Sequence, residues 1–188
     1  AGRGSLAGPV VAGAVILPSR YSLPGLTDSK QLTSARRTIL AQKIKDQAIA
    51  WSLGLSWPPE IDSSDILTST LAAMVRAVQR LKVQPGSLLV DGNRRVPMPI
   101  PQKCFVKGDA SVPVISAASI LAKTFRDKLL DHLDTRYPGY AFSEHKGYGT
   151  RIHLQALKKL GPSPQHRISF QSVDQNVSKG RQAWLPGI

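Results

Sequence analysis

Asp91 and Asp109 are the residues best placed to do chemistry, each a carboxylate beside a glycine at the end of a short apolar run, in LLVDGN and KGDAS. Carboxylate oxygens in such turns could hold a divalent cation next to a phosphodiester, because hard cations prefer oxygen ligands. The same pattern also describes an aspartate that opens a turn or caps a helix, and the spacing alone leaves both readings open. No pair of the four histidines has metal-ligand spacing, so none is assigned as a ligand. Asp127, in TFRDK, falls inside a helical pattern with Lys123 and Lys128 nearby and reads as surface charge, ranking below Asp109.

The elements that must position these groups alternate along the chain. Residues Pro9 to Leu17, PVVAGAVIL, read as a buried strand. Thr33 or Ser34 can cap a helix running to about Ala48, and Ile49 to Leu55 reads as a second strand that Trp57, Pro58 and Pro59 stop. Between Ile66 and Leu81 the residues Leu67, Leu71, Met74, Val78 and Leu81 recur at helical spacing and mark one buried face. Ser87 to Val90 then delivers Asp91, and Lys103 to Val106 leads to Gly108 and Asp109. A helix over Ser116 to Leu133 carries Ile120, Leu121, Phe125, Leu129 and Leu133 on one face, and another spans Arg151 to Leu160. Strands alternating with helices argue an α/β layer fold. Residues 1–173 read as one domain and 174–188, which lack apolar periodicity, as a C-terminal tail.

Composition bounds the function. Lys and Arg outnumber Asp and Glu by 25 to 12, a formal charge of +13, which favours a polyanionic partner, nucleic acid first. A solvated basic surface explains the same numbers equally well. The single cysteine, Cys104, excludes an internal disulfide and a multi-cysteine zinc site and suits a reducing compartment. No stretch approaches the ~20 apolar residues of a membrane span. The expectation is a soluble, cytoplasmic, monomeric protein with no membrane partner.

Five segments in order, AGRGSLAGPVVAGAVIL at the start, LTDSKQL at 26–32, LLVDGN, KGDASVPVISAASILAKTFRD and HKGYGT, resemble the type 2 ribonuclease H family, specifically bacterial ribonuclease HII. The resemblance covers residues 1 to about 173. Arg3 between two glycines favours ribonuclease HII over ribonuclease HIII. Ser5 and Asp65 depart from the family pattern, which commonly has Pro and Asn there.

The resemblance implies a ribonuclease H-like fold, a mixed central sheet flanked by helices, and an endonuclease that cuts the RNA strand of RNA/DNA hybrids and at ribonucleotides embedded in duplex DNA. It implies four carboxylates around two Mg²⁺ or Mn²⁺ ions, two of them matching Asp91 and Asp109. The other two, an Asp and a Glu on a first strand, are expected directly before Ala1. It further implies that Gly2, Arg3 and Gly4 approach the ribonucleotide through backbone groups while Tyr148 stacks on the sugar beside its 2′-hydroxyl, the group that separates RNA from DNA. Ser29 and Lys30, with Lys146, are expected near the phosphate backbone. The alternative is a nuclease-inactive module that binds RNA/DNA duplexes, should the Asp-Glu pair be absent. Transposases and integrases lack the ISAASILAK and HKGYGT words.

Overall fold

The computed structural model describes residues 1–173. The expected tail, 174–188, lies outside the described residues. The described chain is α/β. Its elements are β1 (Val10–Ile16), α1 (Ser34–Gln47), β2 (Ala50–Ser56), α2 (Pro58–Ser63), α3 (Ile66–Gln79), β3 (Leu88–Asp91), β4 (Gln102–Phe105), α4 (Gly108–Ser111), α5 (Pro113–Arg136), α6 (Phe142–His145) and α7 (Arg151–Leu160). β1 pairs with β2 and β3 with β4, two two-stranded sheets where a single central sheet was expected. None of the described helices is long and apolar enough to cross a membrane.

Contacts divide the chain into two units: residue 1 with 11–55 and 70–125, and residues 2–10 with 56–69 and 126 onward. In the first unit, Leu23, Leu40, Ala41, Ile44, Ala117, Ile120 and Leu121 form one buried cluster. Val78, Leu88, Val90 and Val96 form another beneath the parallel pair β3–β4. In the second unit, Ala7, Leu130, Leu133, Tyr137, Tyr140, Phe142 and Ala156 make the core.

Local signals set most boundaries. Thr33 is the N-cap of α1, its hydroxyl accepting from the Arg36 N–H, and Thr150 caps α7 in the same way through His153. Gly161 ends α7. One expectation is extended and two are corrected. Pro58 and Pro59 do stop β2, yet they also start α2, because proline suits the first helical turn, where its missing N–H is no loss. The most buried positions of α3 are Ser69, Ala73 and Ala77, with the expected Val78 close behind, whereas Leu67, Leu71 and Met74 are only half-buried. Gly54 of β2 explains this: a Cβ there would sit 2.0 Å from the Ala73 carbonyl oxygen, so strand and helix approach too closely for anything but small side chains. On α5, Phe125 is exposed, while Arg126 and Asp127 are buried. Asp127 is therefore not surface charge.

Candidate active site

In the first unit, the parallel pairing sets the two carboxylates. Asp91 is the last residue of β3 and lies opposite Phe105 at the end of β4. The chain then turns through Lys107, which adopts a left-handed conformation (φ 57°), and enters the single turn of α4 with Asp109 in it. Asp91 Oδ1 accepts a 2.9 Å hydrogen bond from the Gly108 N–H, so one carboxylate is tied to the residue that precedes the other. Gly108 is required by space as well: a Cβ there would lie 2.7 Å from Ile115 Cδ1. Asp109 is buried, and the Ser116 hydroxyl, donating 2.7 Å to the Asp109 carbonyl, anchors its main chain to α5.

Lys30 places its ammonium 3.7 Å from Asp109 Oδ2 while remaining 76% exposed. Ser29 is buried beside it, its hydroxyl 3.1 Å from that of Ser119 and its carbonyl accepting from the Arg37 guanidinium. Lys30 therefore faces solvent at a carboxylate, and Ser29 faces inward. The donor set suits a hard divalent cation in kind, because both side chains offer carboxylate oxygens. In number it is two of the four that the resemblance implies, and no group of three or more metal-ligating side chains occurs among the described residues.

In the second unit, the residues expected to read the ribose converge. The Gly147 carbonyl accepts from the Leu6 and Ala7 N–H groups at 2.8 and 3.3 Å, which joins the segment after Gly4 to the turn carrying Tyr148. Gly147 sits so close that a Cβ would meet the Ala7 carbonyl oxygen at 2.5 Å. Tyr148 is partly exposed, and Lys146, two residues before it, is left-handed like Lys107. Residues held in that region store strain where the chain must be aimed. The Lys146 ammonium is engaged by Asp131. Gly2 is buried and left-handed (φ 85°), while Gly4 is exposed with open space where a Cβ would stand. Arg3 is exposed.

Two fully buried arginines hold this arrangement, and the sequence reading gave neither of them that role. Arg126 donates to the carbonyls of Pro9 (2.9 Å), Lys146 (2.8 Å) and Ala7 (3.0 Å), and its guanidinium lies 5.8 Å from the centroid of the Tyr148 ring. Arg167 donates to the carbonyls of Gly2, Arg3 and Gly8 at 2.7 to 3.1 Å. Burial, reinforced by repulsion from Arg126, lowers Arg167 to about 9, and burial lowers Arg126 as well. A pair of arginines bonded to carbonyls leaves no periodic trace, so the only available signal was their position inside the two motifs TFRD and HRISF.

His145, His153 and His166 pack together in the same unit. His145 stacks on His153 with ring centroids 4.3 Å apart, and His153 Nε2 lies 3.0 Å from His166 Nε2. Their nitrogens are committed to one another and to the main chain, which leaves none for a metal. Burial lowers His153 to about 4, partly offset by its bond to the Tyr148 carbonyl. Burial and then repulsion from His153 lower His166 to about 3. In the unfolded chain both return to an ordinary value near 6.5. The unfolded state therefore binds more protons between those values, and stability rises with pH across that window. Urea denaturation is expected to show full stability above pH ~6.5 and a decline toward pH ~4, by at most about 1.4 kcal/mol per pH unit for each imidazole. A flat profile between pH 7 and 5 would show that the folded histidines protonate as readily as free ones.

A family model described as Ribonuclease HII matches residues 1–173. A ribonuclease HII from Nitratidesulfovibrio vulgaris is 50% identical, over 98% of this chain and 89% of its own. Among solved structures, the ribonuclease H2 from Pyrococcus horikoshii OT3 has a TM-score of 0.80 at 24% identity, covering 95% of this chain and 94% of its own. Bst-RNase HIII in complex with Mn²⁺ has a TM-score of 0.69 at 15% identity, covering 95% of this chain and 67% of its own. The two structures bear on the fold.

Proposed function

Because the chain belongs to the ribonuclease HII family, and is thereby an endoribonuclease, we propose that it hydrolyses the RNA strand of RNA/DNA hybrids and also cuts at single ribonucleotides within duplex DNA. The observation that carries the substrate reading is the double duty of Arg126. One buried guanidinium bonds the main chain just after Gly2–Gly4 and underlies the ring of Tyr148. Backbone groups of small residues plus a flat side chain are what recognition of a sugar and its 2′-hydroxyl requires. Gly2, Arg3, Gly4 and Tyr148 are the proposed ribose-reading residues. The net charge of +13 supports binding of the duplex backbone.

Asp91 and Asp109 are the proposed ligands of divalent cations, Mg²⁺ or Mn²⁺. Bound there, two such ions would supply Lewis-acid activation of water and stabilise charge on the leaving 3′-oxygen, giving 3′-hydroxyl and 5′-phosphate ends. The protein's own contributions are positional. Gly108 holds Asp91 by its N–H, and the Ser116 hydroxyl holds the main chain of Asp109. Lys30, exposed and already beside Asp109, is free to turn its ammonium to a phosphate, a suitable use of a mobile point charge. Ser29 supports that turn from inside. Lys146 would exchange Asp131 for a phosphate.

Tyr148→Ala is expected to slow cleavage of a duplex with a single ribonucleotide about tenfold more than cleavage of a continuous hybrid. A single sugar must be recognised in the first, and many registers are available in the second; a stacking platform contributes roughly 1–3 kcal/mol. Comparing the two rates is the measurement. Equal losses on both substrates would make Tyr148 a structural residue and remove the ribose-reading assignment.

A further inference from the structure

The buried histidines of the second unit form a one-way hydrogen-bond chain that ends on the main chain of Tyr148. Main-chain partners fix its direction. The Ser163 N–H donates to His166 Nδ1 at 2.9 Å, so that nitrogen is bare and the His166 proton sits on Nε2. His166 Nε2–H then points at His153 Nε2, 3.0 Å away, which must accept and is bare in turn. The proton of His153 is thereby confined to Nδ1, which lies 2.9 Å from the Tyr148 carbonyl oxygen and donates to it. His145 backs the His153 ring by stacking, with its own tautomer set the same way: the Gly147 N–H donates to Nδ1 at 3.1 Å, and Nε2–H donates to the Tyr140 carbonyl at 2.8 Å. Burial keeps His153 and His166 uncharged near neutral pH, so the chain persists there.

The carbonyl at its end belongs to a strained turn. Lys146 is left-handed, Gly147 is left-handed and pressed against Ala7, and the Tyr148 carbonyl also accepts from the Thr150 N–H at 2.8 Å. Arg126 lies under the ring; His153 grips the backbone behind it. The two supports are chemically independent, one electrostatic contact with the ring face and one hydrogen bond to the main chain.

We propose that His153 is a positioning residue for ribonucleotide recognition: its Nδ1–H, held on that nitrogen by His166, fixes the Tyr148 main chain and so the aim of its ring at a single ribose. The proposal rests on the assignment of Tyr148 as a ribose-reading residue. A structural role alone would require His153 only as a buried ring of the right size, whereas positioning requires the donor at the Nδ1 place. His153→Phe keeps the ring and removes the donor; His153→Asn removes the ring and keeps an amide N–H near the Nδ1 place.

Two measurements on the full chain decide it. Long-range ¹H–¹⁵N NMR of the unsubstituted protein is expected to show the proton on Nδ1 of His153 and on Nε2 of His145 and His166; an Nε2–H tautomer at His153 overturns the proposal whether or not any variant folds. In cleavage assays, the rate on a single-ribonucleotide duplex relative to a continuous hybrid is expected to fall about five- to tenfold in His153→Phe, the size of one hydrogen bond, and to return to within about twofold in His153→Asn. Equal losses on both substrates in His153→Phe, or no recovery in His153→Asn, overturns it. Tyr148→Ala measured alongside separates the two assignments. If Tyr148→Ala lowers the ratio and His153→Phe does not, positioning fails and ribose reading by Tyr148 stands; if Tyr148→Ala leaves the ratio unchanged, both fail together.

Discussion

Asp91→Asn and Asp109→Asn are each expected to reduce cleavage by about 10³-fold or more while leaving binding of an RNA/DNA duplex within a few-fold of normal. The magnitude follows from the several kcal/mol that a bound cation contributes at a developing charge, about 4 kcal/mol corresponding to three decades in rate. Neither substitution threatens the fold. An asparagine at 91 still offers Oδ1 to the Gly108 N–H, and an asparagine at 109 only frees Lys30, whose side chain is largely in water already. Each replacement also removes one negative charge from a strongly basic protein, which can only favour a polyanion. Single-turnover cleavage beside a binding titration distinguishes the effects. Near-normal turnover in either variant would remove that residue from the metal site; parallel loss of binding would mean that the turn between β4 and α4 had collapsed.

Arg126→Met is expected to cost about 3–5 kcal/mol of stability, since each buried carbonyl left without its donor costs roughly 1–3 kcal/mol. The guanidinium is fully buried, and removing it strands the carbonyls of Ala7, Pro9 and Lys146 without donors. Leaving buried acceptors unmade costs more than the hydrogen bonds themselves contribute, because the desolvation is not returned. Arg126→Lys should recover only part of the loss, since one ammonium on a flexible stem cannot reproduce the planar fork that reaches three carbonyls. The Gly2 backbone adds a further constraint: a Cβ there would lie 2.1 Å from Arg126 Nε, so glycine and arginine are required together. Urea denaturation at constant slope measures the change. A loss below about 1 kcal/mol would show that water or neighbouring donors satisfy those carbonyls when the guanidinium is gone.

Much of this molecule was legible in one dimension. The apolar runs ending in Asp91 and before Asp109, the cap at Thr33, and the bounds of the helix from Arg151 to Leu160 are each properties of a residue and its near neighbours. Backbone propensity and the burial of an apolar side chain act locally, and so they leave periodic marks. The alternation of strands and helices gave the α/β architecture and the five family words gave the family, which the family match confirms.

The tertiary structure decided what depends on distant partners. A composition with 25 basic residues suggests solvated charge, yet Arg126 and Arg167 lie fully buried, because carbonyls from 119 and 159 residues away in the chain arrive to satisfy them. The sequence shows four unrelated histidines; three pack into one array only because α6, α7 and the Ser163 turn bring them within hydrogen-bond and stacking distance. The small-residue face of α3 escaped the periodicity of its leucines because the approach of Gly54 fixes it. Likewise Asp91 is tied to Gly108 across 17 residues by a bond that exists only once β3 and β4 pair. Burial of a polar group is stable only when its partner is delivered, and delivery is a property of the fold rather than of the residue.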